Sequence, residues 1–154
     1  MPRSESDPEL APALDPVLDF MRLLWSIEHG LQRLSKRMEA ELGITGPQRL
    51  VLRVVGQRPN LSASELAHIV RLHPSTITGI VQRLVARGLL ERTRDPIDTR
   101  RARLRLKPQA RVHTRMSRGT VEKAVIEALE NAGTVNVRAA RKVLTEIAQR
   151  LNEL

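Results

Sequence analysis

Ser75, Thr76 and Thr78 place three hydroxyls within about one turn of a helix, Gln82 and Arg83 follow a turn later, and Arg92, Arg94, Arg100, Arg101, Arg103 and Arg105 come after them. These side chains suit reversible recognition rather than bond-making. Short hydroxyls and backbone N–H groups at a helix start reach phosphate oxygens and base edges. A glutamine can pair with adenine through two hydrogen bonds, although the register of Gln82 sets it well back from the helix tip. Arg83 can read a base or clamp a phosphate, and an ion pair that holds its own helix is an equal alternative. Arg100 and Arg101 suit a narrow minor groove, whose negative potential draws arginine. Asp98 is then expected to brace Arg100, while strand alternation lets only some of the flanking arginines face a ligand. The plainer role for Ser75, Thr76 and Thr78 is capping, worth about 0.5–2 kcal/mol; a mixed role is the reading adopted, with Ser75 nearest to a cap alone.

Charge placement separates these alternatives. From Arg83 to Arg118 the chain holds eleven Arg and one Lys against Glu91, Asp95 and Asp98, a net +9 that equals the formal charge of the whole chain. Nine basic residues balance nine acidic ones before position 83, and five balance five after position 118. An arginine-rich face can simply be solvated. An excess confined to one segment, directly behind a hydroxyl-fronted helix, is instead the electrostatic footprint of docking on phosphates.

The elements that must position these groups follow from periodicity. Ile77, Ile80, Val81 and Leu84 recur at three and four, which predicts a helix with its hydroxyls and Gln82 turned outward. Gly88 stops it, since the residue past a helix end often needs a left-handed backbone. Leu89–Arg94 and Ala102–Leu106 read as two strands around an Asp95-Pro96-Ile97-Asp98 turn. Upstream, Thr45-Gly46-Pro47-Gln48 and Ser62-Ala63-Ser64-Glu65 are capping boxes opening two helices, the first with Leu50, Val51, Val54 and Val55 on its apolar side. His73-Pro74 is the turn into the hydroxyl-fronted helix. Two short helices joined by a tight turn form a helix-turn-helix, and the basic hairpin behind it completes the outline of a winged helix.

Both ends of the chain add amphipathic helices. After an irregular arm over residues 1–14, Asp15-Pro16 starts a helix whose stripe of Phe20, Leu24, Ile27, Leu31, Leu34, Met38 and Leu42 ends at Gly43. A further helix is expected over Gln109–Asn131, weakened in its middle by Ser117-Arg118-Gly119-Thr120, and a last one over Asn136–Leu154. These stripes exceed what a chain of 154 residues can cover alone, so a two-fold dimer built from both ends is expected. The expected organisation is an arm (1–14), a helical dimerisation region (15–43 and 108–154) and a DNA-binding unit (44–107) within one compact chain.

Composition excludes several classes. Aromatic content is 1%, only Phe20 and Trp25, which disfavours single-strand binders that stack bases on exposed rings. The absence of cysteine removes disulfides, thiol switches and Cys-based zinc sites. His29, His68, His73 and His113 show no helical pairing, and the nucleotide-loop, zinc-protease and nucleophile-elbow motifs are missing, so neither a metal, a cofactor nor an enzymatic activity is expected. No run approaches a membrane span and no signal peptide is apparent, so a cytoplasmic protein is expected.

The order of motifs resembles the MarR family of winged-helix transcriptional regulators from about Asp15 to Leu154. The matching stretches are Leu42-Gly43-Ile44-Thr45, Ser64-Glu65-Leu66-Ala67, Pro74-Ser75-Thr76-Ile77-Thr78, Val81-Gln82-Arg83-Leu84, Arg87-Gly88-Leu89-Leu90-Glu91-Arg92 and Asp98-Thr99-Arg100-Arg101. Two departures stand out: Lys107 where the family usually has Thr, and Gln82 where Asp is common. The resemblance implies a mainly α homodimer with a β-hairpin wing, its recognition helices in successive major grooves of a pseudo-palindromic site and its wings over the flanking minor grooves. It also implies a repressor released by a small amphipathic acid bound between the helical region and the winged unit, for which Trp25, His29 and Arg49 are candidate contacts. A non-specific architectural DNA binder is the alternative reading.

Overall fold

A computed structural model describes residues 14–115 and 119–154. The arm expected over residues 1–14, apart from its last residue, lies outside the described residues, as do Met116, Ser117 and Arg118. The first helix starts obey local chemistry. Helix α1 (Pro16–Leu42) begins where Asp15 Oδ1 accepts the Val17 N–H at 2.7 Å, and it ends at Gly43, whose φ of 70° is the left-handed conformation anticipated there. Helices α2 (Gly46–Gln57) and α3 (Ala63–Val70) both open on complete capping boxes, Thr45 with Gln48 and Ser62 with Glu65. The Ser62 N–H, the largest influence on the Glu65 carboxyl, and the Ser62 hydroxyl hold its pKa below the ordinary value. Helix α4 (Pro74–Ala86) leads through Gly88, φ 69°, into β1 (Leu90–Arg94) and β2 (Ala102–Leu106).

The strands pair antiparallel, Leu90 opposite Leu106 and Arg94 opposite Ala102. Leu89 stays outside the strand because its N–H closes the end of α4 on the Leu84 carbonyl at 2.9 Å. A third backbone segment is stitched to β2: the Leu104 N–H donates to Leu61 O and the Asn60 N–H to Leu104 O, at 2.8 and 3.0 Å. The wing is thereby tied to the α2–α3 connection.

The core lies where these elements meet. Val51, Leu52 and Val55 of α2, Leu66 of α3, Ile77, Ile80, Val81 and Leu84 of α4, and Leu90 and Leu104 of the hairpin are buried together with Ile44 and Ala110. Burying each Leu or Ile stabilises the fold by about 1.5–3 kcal/mol. One expectation shifts by two positions: Leu52 takes the core place and Leu50 is 47% exposed.

The predicted Gln109–Asn131 helix is broken. Pro108–Ala110 forms a 3₁₀ turn, α5 covers only Arg111–Thr114, and α6 spans Val121–Ala132. The cause is long-range: the carbonyls of His113 and Arg115 accept hydrogen bonds from the Arg49 guanidinium, Arg115 turns extended, and Gly119 takes a left-handed φ of 77°. Helix α7 (Thr134–Glu153) begins two residues before its expected start. No residue of α6 or α7 is buried, and Met38 alone is buried on α1. Among the described residues, no helix is long and apolar enough to cross a membrane.

Candidate nucleic-acid interface

Helix α4 turns Ile77, Ile80, Val81 and Leu84 into the core and leaves Ser75, Thr76, Thr78, Gln82 and Arg83 exposed, as the periodicity predicts. Its cap differs from expectation. His73 occupies the N-cap position, with Nδ1 accepting the Ser75 N–H at 3.2 Å and the Ser75 hydroxyl 2.7 Å from the same nitrogen. The Thr78 hydroxyl donates to the Pro74 carbonyl at 2.9 Å, which leaves its lone pairs available to an outside donor. Among the described residues Thr76 makes no side-chain hydrogen bond, so its hydroxyl can both donate and accept.

On the hairpin, alternation and specific partners sort the arginines. Arg103 Nε donates to Asp95 Oδ2 at 2.7 Å and Arg105 Nε to Asn60 Oδ1 at 2.6 Å, so these two brace the wing. The Arg92, Arg94 and Arg100 guanidiniums make no ion pair or hydrogen bond among the described residues, and all three residues are exposed. Arg101 Nε lies 3.9 Å from Asp98 Oδ2, too far for a hydrogen bond. The expected brace between Asp98 and the Arg100 side chain is replaced by one to its backbone, where Asp98 Oδ1 accepts the Arg100 N–H at 3.0 Å.

Asp95, which the sequence offered only as a turn residue, organises the tip. Its Oδ1 accepts the N–H groups of Ile97 and Asp98 at 2.8 and 3.2 Å while Oδ2 holds Arg103. The Arg103 hydrogen bond is the main cause that lowers the Asp95 pKa to about 2, with the two backbone N–H donors adding to it. The same contact raises the pKa of Arg103. The Asp-Pro pair was the available signal, since an Asx turn uses this side chain in this way.

A separate cavity of about 430 Å³ opens between α1, α2 and α6, lined by Leu31, Met38, Leu50, Val54, Leu72 and Val121 with Arg49, Arg53 and Glu122 at its polar side. Arg49 is 2% exposed and pairs with Glu122 Oε1 at 2.8 Å, in addition to its two carbonyl partners. Arg53 donates to the Thr114 carbonyl at 2.7 Å. Glu122 Oε2 is buried without a hydrogen-bond partner among the described residues. Of the residues expected at a ligand, Arg49 reaches this cavity. Trp25 and His29 do not line it and lie exposed on α1, Trp25 at 59%. Burial, then the positive charges of Arg87 and Arg49, lowers the pKa of nearby His113. No group of three or more His, Asp or Glu among the described residues is placed to hold a metal ion.

A helix-turn-helix with a two-stranded wing tied against it, presenting hydroxyls and unpaired arginines together, defines the winged helix-turn-helix class. The model of the MarR family matches residues 44–102. The regulator PcaV from Streptomyces coelicolor, solved in complex with its natural ligand, superposes with a TM-score of 0.70 at 27% identity, over 90% of this chain and 98% of that one. FabT from Streptococcus pneumoniae, solved in complex with DNA, shares the fold at a TM-score of 0.65 and 19% identity, over 89% of this chain and 98% of that one. Among curated relatives, the HTH-type transcriptional regulator TtmR of Methylorubrum extorquens is 31% identical over 99 residues, 64% of this chain and only half of that relative's length. The chain is thus similar to the MarR family over its winged unit, residues 44–102, and shares its overall fold with PcaV.

Proposed function

We propose that the protein acts as a homodimer that reads a pseudo-palindromic site on double-stranded DNA and represses transcription in the cytoplasm until a small-molecule effector releases it. The observation that carries this reading is the exposed row of Ser75, Thr76, Thr78, Gln82 and Arg83 beside a hairpin with unpaired guanidiniums. Ser75, Thr76 and Thr78 then meet bases and phosphates from the helix start, and Gln82 and Arg83 act farther along the groove. Arg100 and Arg101 enter the minor groove, Asp98 orients the tip, and Arg103 adds charge while anchored by Asp95.

In this reading residues 44–107 form the DNA-binding unit, and residues 15–43 with 108–154 form the dimer region. The dimer is supported by exposed apolar side chains confined largely to the terminal helices: Leu18, Phe20 and Ile27 on α1, Leu129 on α6, Leu144 and Leu151 on α7. The effector is supported by the 430 Å³ cavity, where Leu31, Met38 and Val121 suit an apolar body and Arg53 and Glu122 lie at its polar side. Arg49 belongs to the frame of that site. Release requires that the effector bind the DNA-incompetent arrangement more tightly than the competent one.

Selection from a random duplex pool, then affinity for the recovered site and a scrambled duplex at one salt concentration, tests the reading. Specific recognition predicts a ratio of about 10³ or more. A ratio near one would favour a non-specific architectural DNA binder.

A further inference from the structure

We infer that Ile97 is a minor-groove contact residue, an apolar side chain at the tip of the wing that seats against the sugar edges and floor of the groove between Arg100 and Arg101 and the DNA flanking each half-site. The inference rests on the DNA-binding reading and adds to it a residue that determines sequence preference. Ile97 is 90% exposed. Between Leu72 and Arg111, every other large apolar side chain of α4 and the hairpin is buried or half-buried, so Ile97 is the sole exposed one in the whole recognition surface among the described residues. The other exposed large apolar residues fall on the helices outside this stretch and on Leu14 and Leu154 at its far ends.

The side chain is held out, not left loose. Asp95 Oδ1 accepts the Ile97 N–H at 2.8 Å and the Asp98 N–H at 3.2 Å, and the Arg101 N–H closes the turn on the Asp98 carbonyl at 2.9 Å. Pro96 fixes the backbone before it, and the branched Cβ of isoleucine restricts its own rotamers. A stiff apolar group presented in this way loses little entropy on binding. Its surroundings select the partner. Exposed Arg100 and Arg101 lie three and four residues on, and both nearby carboxylates are engaged: Asp95 holds Arg103 and the turn N–H groups, while Asp98 accepts the Arg100 N–H and faces Arg101. An apolar patch inside such a cationic rim fits a narrow anionic groove with apolar sugar walls, and isoleucine is among the side chains that enter minor grooves in this way.

The minor groove distinguishes A·T from G·C mainly through the guanine N2 amino group. Replacing guanine by inosine removes that group and leaves the major-groove pattern intact, which isolates the contact. The wild-type protein is measured on its selected site with A·T, I·C or G·C pairs under the wing, beside Ile97→Ser and the Arg100→Ala/Arg101→Ala double variant. The wild type is expected to bind A·T and I·C flanks alike and G·C flanks about tenfold more weakly. Ile97→Ser is expected to bind the A·T-flanked site about tenfold more weakly, since each lost apolar contact area lowers affinity. It should also lose more than half of the logarithmic I·C preference, with an unchanged salt slope and melting temperature. The arginine variant flattens the salt slope instead. Wild-type affinity for Ile97→Ser, a uniform loss on all three duplexes, a changed melting temperature, or no I·C preference in the wild type would each overturn the assignment. Failure of the wild type to select any duplex would instead refute the DNA-binding reading beneath it.

Discussion

Arg49→Met is the substitution whose consequence the structure defines most sharply. The guanidinium is 2% exposed and binds Glu122 Oε1, His113 O and Arg115 O, joining α2 to the chain on both sides of residues 116–118. Methionine fills most of the volume but leaves the partly buried Glu122 carboxylate with only the more distant Arg53, at 3.8 Å, and two carbonyls without donors. Breaking a buried pair from one side costs about 3–5 kcal/mol, which in a chain of this size lowers Tm by roughly 10 °C. The assay is reversible thermal and urea unfolding at several protein concentrations, so that dimer dissociation is separated from unfolding. Removing both charges with Arg49→Met/Glu122→Leu should recover more than half of the loss, because no orphaned charge remains. A single-variant cost below about 1 kcal/mol, or a double variant no better than the single, would refute the view that this pair holds α6 against the winged unit.

Two other outcomes follow from the wing. Replacing Arg100 and Arg101 with Ala should reduce the slope of log affinity against log salt by about 0.9 for each phosphate contact removed, and an unchanged slope would show that neither guanidinium is at the DNA backbone or groove. Acid should loosen the wing tip in a defined window. The Asp95 carboxyl is depressed to about 2, so its stabilisation is full above the unfolded value near 4 and is lost as pH falls through the folded value. The protection of the Ile97 and Asp98 amides, after correction for the intrinsic pH dependence of exchange, should therefore fall between about pH 4 and pH 2, and in Asp95→Ala it should be low throughout.

Much of this architecture was legible because it is encoded within a few residues. The capping boxes at Thr45 and Ser62, the Asp15 cap, the glycine stops at Gly43 and Gly88 and the stripe of α4 are contacts at short range, and each lies where the pattern put it. The broken helix after Lys107 is different. The Ser117-Arg118-Gly119-Thr120 stretch marked a weak middle, and Gly119 does turn left-handed there, but the stop already at Thr114 goes with Arg49, more than sixty residues upstream, binding two carbonyls, which no local pattern carries. The division of labour among the hairpin arginines was hidden for the same reason. Only the fold brings Asn60 to Arg105, and only the turn geometry gives Asp95 a hydrogen-bonded arginine while leaving Asp98 3.9 Å from Arg101. On α4 the hydroxyls are exposed as the periodicity predicts, but the cap lies two residues before them, at His73.

The Arg87 guanidinium binds the carbonyl of Gly43, clasping the end of α4 to the end of α1. Helix α1 is 27 residues long, a rod of about 40 Å at 1.5 Å per residue. In a two-fold dimer, pivoting that rod by about 5° at its far end sweeps the clasped end through about 3.5 Å, which matches one base-pair step along the duplex. In the proposed dimer, two such rods turning in opposite senses would carry the two winged units out of phase with a two-fold DNA site, so that a small angular change at the far seam would be enough to lose the match.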